Sequence, residues 1–369
     1  MPIFIPLEKR RKKHKKNNKY YIKEFEGGEK APSYDETHYK EGIRREKKGD
    51  IYVYYYNKND KEVTDNKELQ RIKELRIPNT WGYVWINCDH DYKIQVIGID
   101  PHNKKQYIYT KKHKEEHSDK KYKVLEKVIS LIDKVNDVLN KHQKLEKYNK
   151  KRVLSTMLII ILKTGIRAGK EFYARRNNTY GLCSLRTKHI KFNDDKKQII
   201  LKFTGKKSVE HVHKVSLNSE QYQEMKDLMK IEFKDKIFKH VEDKEIKKID
   251  EFDLNNYIHK YIDPKITIKD FRTYLVNLFY IQCLIKLTNE VNKKIQENGT
   301  GKMPVKNIIK EAIKETAEFI QHKATVCKSS YIYSLVTEFY INDYTYFIKN
   351  KNKKSNDILI DIIKSKRKK

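Results

Sequence analysis

The spacing of apolar and polar residues changes character along the chain. Residues 1–50 show no apolar period, and EKRRKKHKKNNK (Glu8–Lys19) is nearly all cationic. Such a segment cannot pack, so the pattern predicts a basic N-terminal arm over 1–50, a nucleic-acid contact or a nuclear address. From Ile51 to about His117, the runs IYVYYY, YVWI, KIQVIGID and KQYIYT are rich in β-formers and separated by Asn, Asp, Gly and Pro. They predict strands, with a helix over Asn66–Pro78 before the last three. The polar stretch His113–Lys121 predicts a linker. After Lys121 the period becomes helical, with Leu125, Val128, Ile129, Ile132, Val135 and Leu139 on one stripe. Further helices are expected over Arg152–Lys163, Ser219–Phe233, Asp270–Leu287, Val305–Gln321 and Ser329–Phe347. Gln198–Leu217 interrupts them as a hairpin turning at Gly205-Lys206. The expected fold class is α+β: a small β-rich domain over 51–117, a larger mainly α-helical domain over 118–350 with an inserted β-hairpin or small sheet, and a basic C-terminal tail over 351–369.

Charge adds a partner. Hydrophobic residues make up 38% of the chain, enough for a core, while Lys and Arg exceed Asp and Glu by 82 − 50 = 32. That excess repels itself in a compact state, so a polyanion is the expected partner, DNA or RNA before an anionic membrane. The longest apolar run, MLIIIL (Met157–Leu162), is too short to span a bilayer. The N-terminus carries its charge after a short apolar patch, the reverse of a signal peptide. Cys88, Cys183, Cys283 and Cys327 are scattered and read as free thiols in a reducing, intracellular compartment. The H-x-x-E-H spelling at 113–117 has no apolar face to bury, which argues against a zinc helix. His211 and His213 share a strand face without a third ligand and read as solvent-exposed or phosphate-contacting. No metal is expected.

Candidate chemistry lies in five segments. TGIRAGKEFY (Thr164–Tyr173) puts Arg167 in a Gly-bounded turn straight after the most apolar helix, where a planar guanidinium can meet a phosphate. FTGKK puts Lys206 at a hairpin tip. IKDFRTYLVN puts Arg272 in the first turns of a helix, whose positive end favours phosphate. HKATVCKSSY brings His322 and Tyr331 into one cationic segment without an acidic residue. Each residue alone reads more readily as surface or core. The combination, in this order, does not.

Taken with RIPNTWGYVWI and KKQYIYTKKH, these segments make the chain from about Leu75 to Phe347 resemble type IB DNA topoisomerases, most closely the small form of poxviruses and other large DNA viruses. Glu171 and the W-x-x-V-W-I pattern look more like cellular and bacterial members. By that resemblance the family's catalytic arginines fall on Arg167 and Arg272, its general-acid lysine on Lys206, its histidine on His322 and its nucleophile on Tyr331. Lys269 matches a helper lysine, Tyr107 and Tyr109 fall where viral enzymes touch DNA, and Lys170 and Tyr173 belong to the same DNA-binding set. His117 replaces a DNA-contacting arginine. The resemblance implies a monomer clamped around double-stranded DNA, with no cofactor, no small-molecule substrate and no membrane. Virion, viral factory and host nucleus are the implied locations.

The residue types suit that chemistry. A phenol of pKa about 10 needs activation at neutral pH. Two guanidiniums and an imidazole can hold the non-bridging oxygens of a transition state. A lysine beside two arginines has its pKa pushed down and can protonate the leaving 5′-oxygen. Exchange of one ester for another needs neither metal nor ATP. A tyrosine recombinase would share this set, but its second arginine usually follows a histidine, as H-x-x-R, where this chain has KDFR. A non-catalytic DNA-binding protein would not need all five positions intact.

Overall fold

The computed structural model describes residues 41–299 and 301–367, leaving out the side chains of 114–121 and 366–367. The chain divides into two units at His117/Ser118. The arm residues 1–40, Glu8–Lys19 included, lie outside the described residues.

In the first unit, period-two strands build one antiparallel sheet. Strands β1 (Ile43–Lys48), β2 (Ile51–Tyr56), β3 (Gly82–Ile86), β4 (Ile94–Ile99) and β5 (Lys105–Tyr109) lie in the order β2-β1-β3-β4-β5. Helix α1 (Asn66–Glu74) is capped by Asp65, whose carboxylate accepts from the N–H groups of Lys67 and Glu68. It adds Ile72 to a core of Ile43, Val63, Val84, Ile86 and Val96. β1 corrects the expectation of a structureless arm over 1–50. IRREKK hides a strand because Ile43 alone is fully buried, while Arg44 and Arg45 lie over the rings of Tyr55 and Tyr52 at 5.0 and 4.3 Å.

The second unit is mainly helical. Helix α2 (Lys111–Ser130) crosses the unit boundary and replaces the expected linker at 113–121. Among its described side chains the first buried one is Leu125, and once that turn packs, extending the helix backwards is inexpensive. Next come α3 (Ile132–Gln143), α4 (Lys150–Thr164) and α5 (Glu171–Asn177). Helix α4 is the axis of the core, with Val153–Leu158, Ile160 and Ile161 all buried. Strands β6 (Ile190–Asn193), β7 (Gln198–Gly205) and β8 (Val209–Ser216) form an antiparallel sheet in that order, so the expected hairpin gains a third strand. Then follow α6 (Ser219–Lys230), the β9 (Lys239–Glu242)–β10 (Glu245–Lys248) hairpin, α7 (Glu251–Tyr261), α8 (Ile268–Asn298) and α9 (Val305–Phe319).

Two expectations fail near the C-terminus. The single helix expected over Ser329–Phe347 is broken into α10 (Ala324–Ser330), α11 (Ser334–Asn342) and α12 (Thr345–Lys349). The expected basic tail contains α13 (Ser355–Arg367), which buries Ile358, Leu359, Ile362 and Ile363 in the main core. Those four share one face at i, i+4 spacing, and the flanking lysines masked the pattern. Among the described residues, no helix is long and apolar enough to cross a membrane.

Candidate active site

The site starts where α4 ends. Gly165 at φ 62° takes the left-handed conformation that stops the helix, its N–H bonding to the carbonyl of Ile161. The chain then runs outside any helix or strand through Ile166, which is buried, to Arg167, which is half-buried. The Arg167 and Ala168 carbonyls accept from the N–H groups of Leu182 and Cys183 at 2.8 and 2.7 Å. Gly169, at φ 79°, lies so close to Gly181 that a Cβ would meet its backbone at 2.6 Å. The turn is therefore held by backbone on both sides, which leaves the Arg167 side chain to point at the site.

Arg272 reaches the same place from α8. Ile268, Arg272, Val276 and Tyr280 recur at i, i+4 on one stripe, and all four are buried, Arg272 to 2% exposure. A guanidinium thus occupies a core position. None of its three nitrogens has a well-formed hydrogen bond among the described residues. Its charge instead lies over the Tyr331 ring, 4.8 Å from the centroid, close enough for the phenol oxygen to favour the cation. Burial lowers its pKa to about 10, and the nearby Arg167 adds to this.

Tyr331 follows the last turn of α10, where its own N–H bonds to the Cys327 carbonyl at 3.0 Å. Its hydroxyl accepts from Arg167 Nη2 at 3.2 Å. Burial works to raise the phenol pKa, but Arg272 and Arg167 outweigh it and bring it below the ordinary value. The same Arg167 Nη2 meets His322 Nε2. Burial, then Arg167, then Arg272 lower the imidazole to about 4, so it is neutral at pH 7. With Nε2 accepting from the arginine, the ring proton rests on Nδ1, which is buried, and the Lys323 backbone favours the protonated ring.

Asn277 was not legible in the sequence. It is fully buried on α8; its Nδ2 donates to the Tyr331 carbonyl at 2.9 Å and the Thr273 carbonyl at 2.8 Å, while its Oδ1 accepts from the Tyr333 N–H at 3.0 Å. One amide therefore clamps the chain at Tyr331 and Tyr333, on either side of Ile332, where the expected helix over 329–347 breaks. Asn277→Ala leaves buried peptide groups unpaired, at about 1–3 kcal/mol for each. It should lower Tm by several degrees and slow single-turnover cleavage more than it weakens DNA binding. Thermal melting beside a rapid-quench assay reads both.

Lys206 lies in the turn between β7 and β8, where Lys207 and Ser208 adopt φ of 64° and 56°. It is exposed, and the charge of its neighbour Lys207 reaches His322. The structure therefore brings Arg167, Arg272, His322 and Tyr331 together and puts Lys206 on the hairpin beside them. His211 and His213 differ from expectation. Both are buried, stacked along Phe203, and 3.2 Å apart between Nδ1 and Nε2. Burial lowers them to about 3 and about 4. Strand alternation turns both inward, so they support the hairpin rather than meet solvent.

The remaining expected residues are spread out. Lys269 is exposed one turn before Arg272. Lys170 precedes α5, its amine 4.0 Å from Glu251, and Tyr173 on α5 is 47% exposed beside Phe172. Tyr107 and Tyr109 lie half-buried on β5 in the first unit, their rings 6.2 Å apart. The side chain of His117 lies outside the described residues. Helix α5 is anchored by Glu171, paired with Arg186 and Lys236. Burial opposes ionisation there, but Lys236 and Arg186 prevail and hold the carboxyl at about 2, against an ordinary 4.5. A depressed pKa stabilises the fold above the unfolded value and is lost as pH falls through the folded one. Glu171→Gln should therefore lower Tm at pH 7, and the difference from the parent should close between pH 4.5 and 2. Melting curves across that range check it.

Among the described residues, no cluster of His, Cys, Asp and Glu could hold a metal ion. The four cysteines are free.

An arginine pair, a neutral imidazole and an activated phenol in mutual contact define a class of tyrosine-dependent phosphoryl-transfer proteins. Comparison with known proteins agrees. Residues 110–357 match the family model of the eukaryotic DNA topoisomerase I catalytic core, and residues 53–100 that of the bacterial DNA topoisomerase IB N-terminal domain. DNA topoisomerase 1B of Acanthamoeba polyphaga mimivirus is 39% identical over 341 residues, covering 91% of this chain and 98% of that one. DNA topoisomerase 1B of vaccinia virus (strain Copenhagen) is 27% identical over 281 residues, covering 74% and 82%. The chain belongs to the type IB DNA topoisomerases, isomerases that act on DNA, and membership decides for that class over the tyrosine recombinases.

Proposed function

We propose that this protein relaxes supercoiled double-stranded DNA by nicking one strand, holding it as a 3′-phosphotyrosyl adduct, letting the other end rotate, and religating. The observation that carries the reading is the buried guanidinium of Arg272 held against the Tyr331 phenol. A cation kept in a core position with no ion pair among the described residues is costly unless a phosphate completes it.

In the forward step the Tyr331 oxygen bonds to phosphorus and its proton passes to water. Arg167, Arg272 and His322 hold the non-bridging oxygens as charge develops on them. The bond from phosphorus to the 5′-oxygen breaks, and that oxygen takes a proton from Lys206. Religation runs the same steps backwards. One phosphodiester replaces another of similar energy, so the cycle calls for no nucleotide and no metal. Lys269, Lys170, Tyr173, Tyr107 and Tyr109 contact the duplex, and the chain acts as a monomer inside a reducing compartment such as a viral factory, virion or nucleus. The test is relaxation of a supercoiled plasmid in EDTA without ATP. Relaxation to a topoisomer ladder is expected. No relaxation, or relaxation only with added magnesium or ATP, overturns the reading.

A further inference from the structure

The hairpin that carries Lys206 has a free edge. β8 is the outer strand of its sheet and, among the described residues, pairs with β7 alone. Val212, opposite Lys202 on β7, turns its peptide groups away from that neighbour. Two side chains from elsewhere in the chain meet this edge: Lys163 Nζ donates to the Ser216 carbonyl at 2.9 Å, and Gln321 takes Val212. Gln321 Oε1 accepts from the Val212 N–H at 2.6 Å, and Gln321 Nε2 donates to the Val212 carbonyl at 2.5 Å. A primary amide offers the same donor and acceptor pair as a peptide, so Gln321 extends the sheet as a one-residue strand would.

Gln321 immediately precedes His322. It takes φ 51°, a conformation uncommon for a residue with a side chain, at the end of α9. Its N–H bonds to the Glu318 carbonyl at 2.9 Å and that of His322 to the Ala317 carbonyl at 2.7 Å. This turn sends consecutive side chains to different partners: Gln321 to β8, His322 to Arg167. Behind the edge, His211 packs against Gly205, where a Cβ would meet its ring at 2.5 Å, and stacks 5.0 Å from Phe203. The base of the hairpin is therefore rigid from inside and clasped from outside.

We infer that Gln321 is a positioning residue for the Lys206 hairpin, holding the proton donor of the 5′-oxygen in register with the Tyr331 turn. The inference rests on the reading of Lys206 as the general acid. Gln321 touches neither substrate nor nucleophile; it acts through the strand it clasps. A displaced donor of this kind slows the step that needs it by roughly 10- to 100-fold.

A substrate whose scissile phosphate carries a bridging 5′-sulfur separates the possibilities. Simple thiols have a pKa of about 8.5, so the thiolate leaves without a proton. Single-turnover covalent-adduct formation is measured on matched oxygen and sulfur substrates for the parent, Gln321→Met, Gln321→Glu and Lys206→Ala. Met keeps the length and the φ of Gln321 but loses both hydrogen bonds. Glu keeps the acceptor alone. Gln321→Met is expected to be about 10- to 100-fold slow on oxygen and within about 3-fold of the parent on sulfur, with Gln321→Glu between them. That sulfur rate also shows that the variant is folded and its nucleophile intact. Equal slowing on both substrates, or no slowing on oxygen, overturns the inference. If Lys206→Ala is not rescued by sulfur, the general-acid reading itself fails. If Lys206→Ala is rescued while Gln321→Met is not, only the positioning role fails.

Discussion

Tyr331→Phe is expected to leave plasmid relaxation and covalent-adduct formation undetectable, a loss of at least about 10⁴-fold, because no other group is placed to take over the attack. The substitution removes one oxygen. The ring stays under Arg272, and the backbone stays clamped by Asn277. Affinity for intact duplex DNA should therefore change by less than about 3-fold, since phosphate contacts by lysines and arginines dominate it. The pairing of these outcomes is informative. Parallel loss of binding would show that the phenol is a structural member of the core, as its 8% exposure alone would allow. Retained adduct formation would place the nucleophile on another residue. A denaturing gel after incubation with labelled suicide DNA reads the adduct, and a filter-binding titration reads the affinity.

Arg272→Met is expected to move activity and stability in opposite directions. Removing one preorganised charge from the transition state costs about 10²- to 10³-fold in cleavage rate. In the free protein the same charge is buried, and none of its nitrogens is well hydrogen-bonded among the described residues. A thioether of similar length fits between Ile268 and Val276 on the core stripe and needs no solvation. Replacing such a charge by an apolar group can stabilise a fold by about 1–4 kcal/mol. The lost cation–π contact with Tyr331 takes back part of that gain. In a unit of this size each kcal/mol is worth roughly 2–4 °C in Tm. A slower enzyme that melts higher is the expected signature of a residue kept for chemistry against its own folding cost. A variant that melts lower would mean that Arg272 holds the helices together, and the reading of its guanidinium as a phosphate site would be lost. DNA should raise the Tm of the parent more than that of the variant, because only the parent has the charge satisfied on binding.

The residues proposed to supply the chemistry stood out in the sequence because each has a distinctive neighbourhood. Arg167 follows an apolar helix and a glycine, Lys206 stands in a hairpin turn, and Arg272 interrupts an apolar stripe. What failed in the sequence were signals hidden by charge. The strand in IRREKK and the helix under the final lysines each bury few residues among many cations, so composition concealed their period. His211 and His213 read as polar and outward, yet strand alternation beside Phe203 turns them into the core.

Asn277 and Gln321 carry no such mark. Both are amides in otherwise ordinary helical segments, and what they do depends on partners 54 to 56 and 109 positions away. The sequence by itself determined most of the elements, the strong positive charge and the kinds of group available for phosphoryl transfer, because those follow from local spacing and residue chemistry. Only the tertiary structure decided that a helix would break at Tyr331, that Arg272 would be left without a well-formed hydrogen bond, and that a hairpin would be clasped beside His322. Those outcomes arise from hydrogen bonds and burial between segments remote in the chain, which no local period encodes.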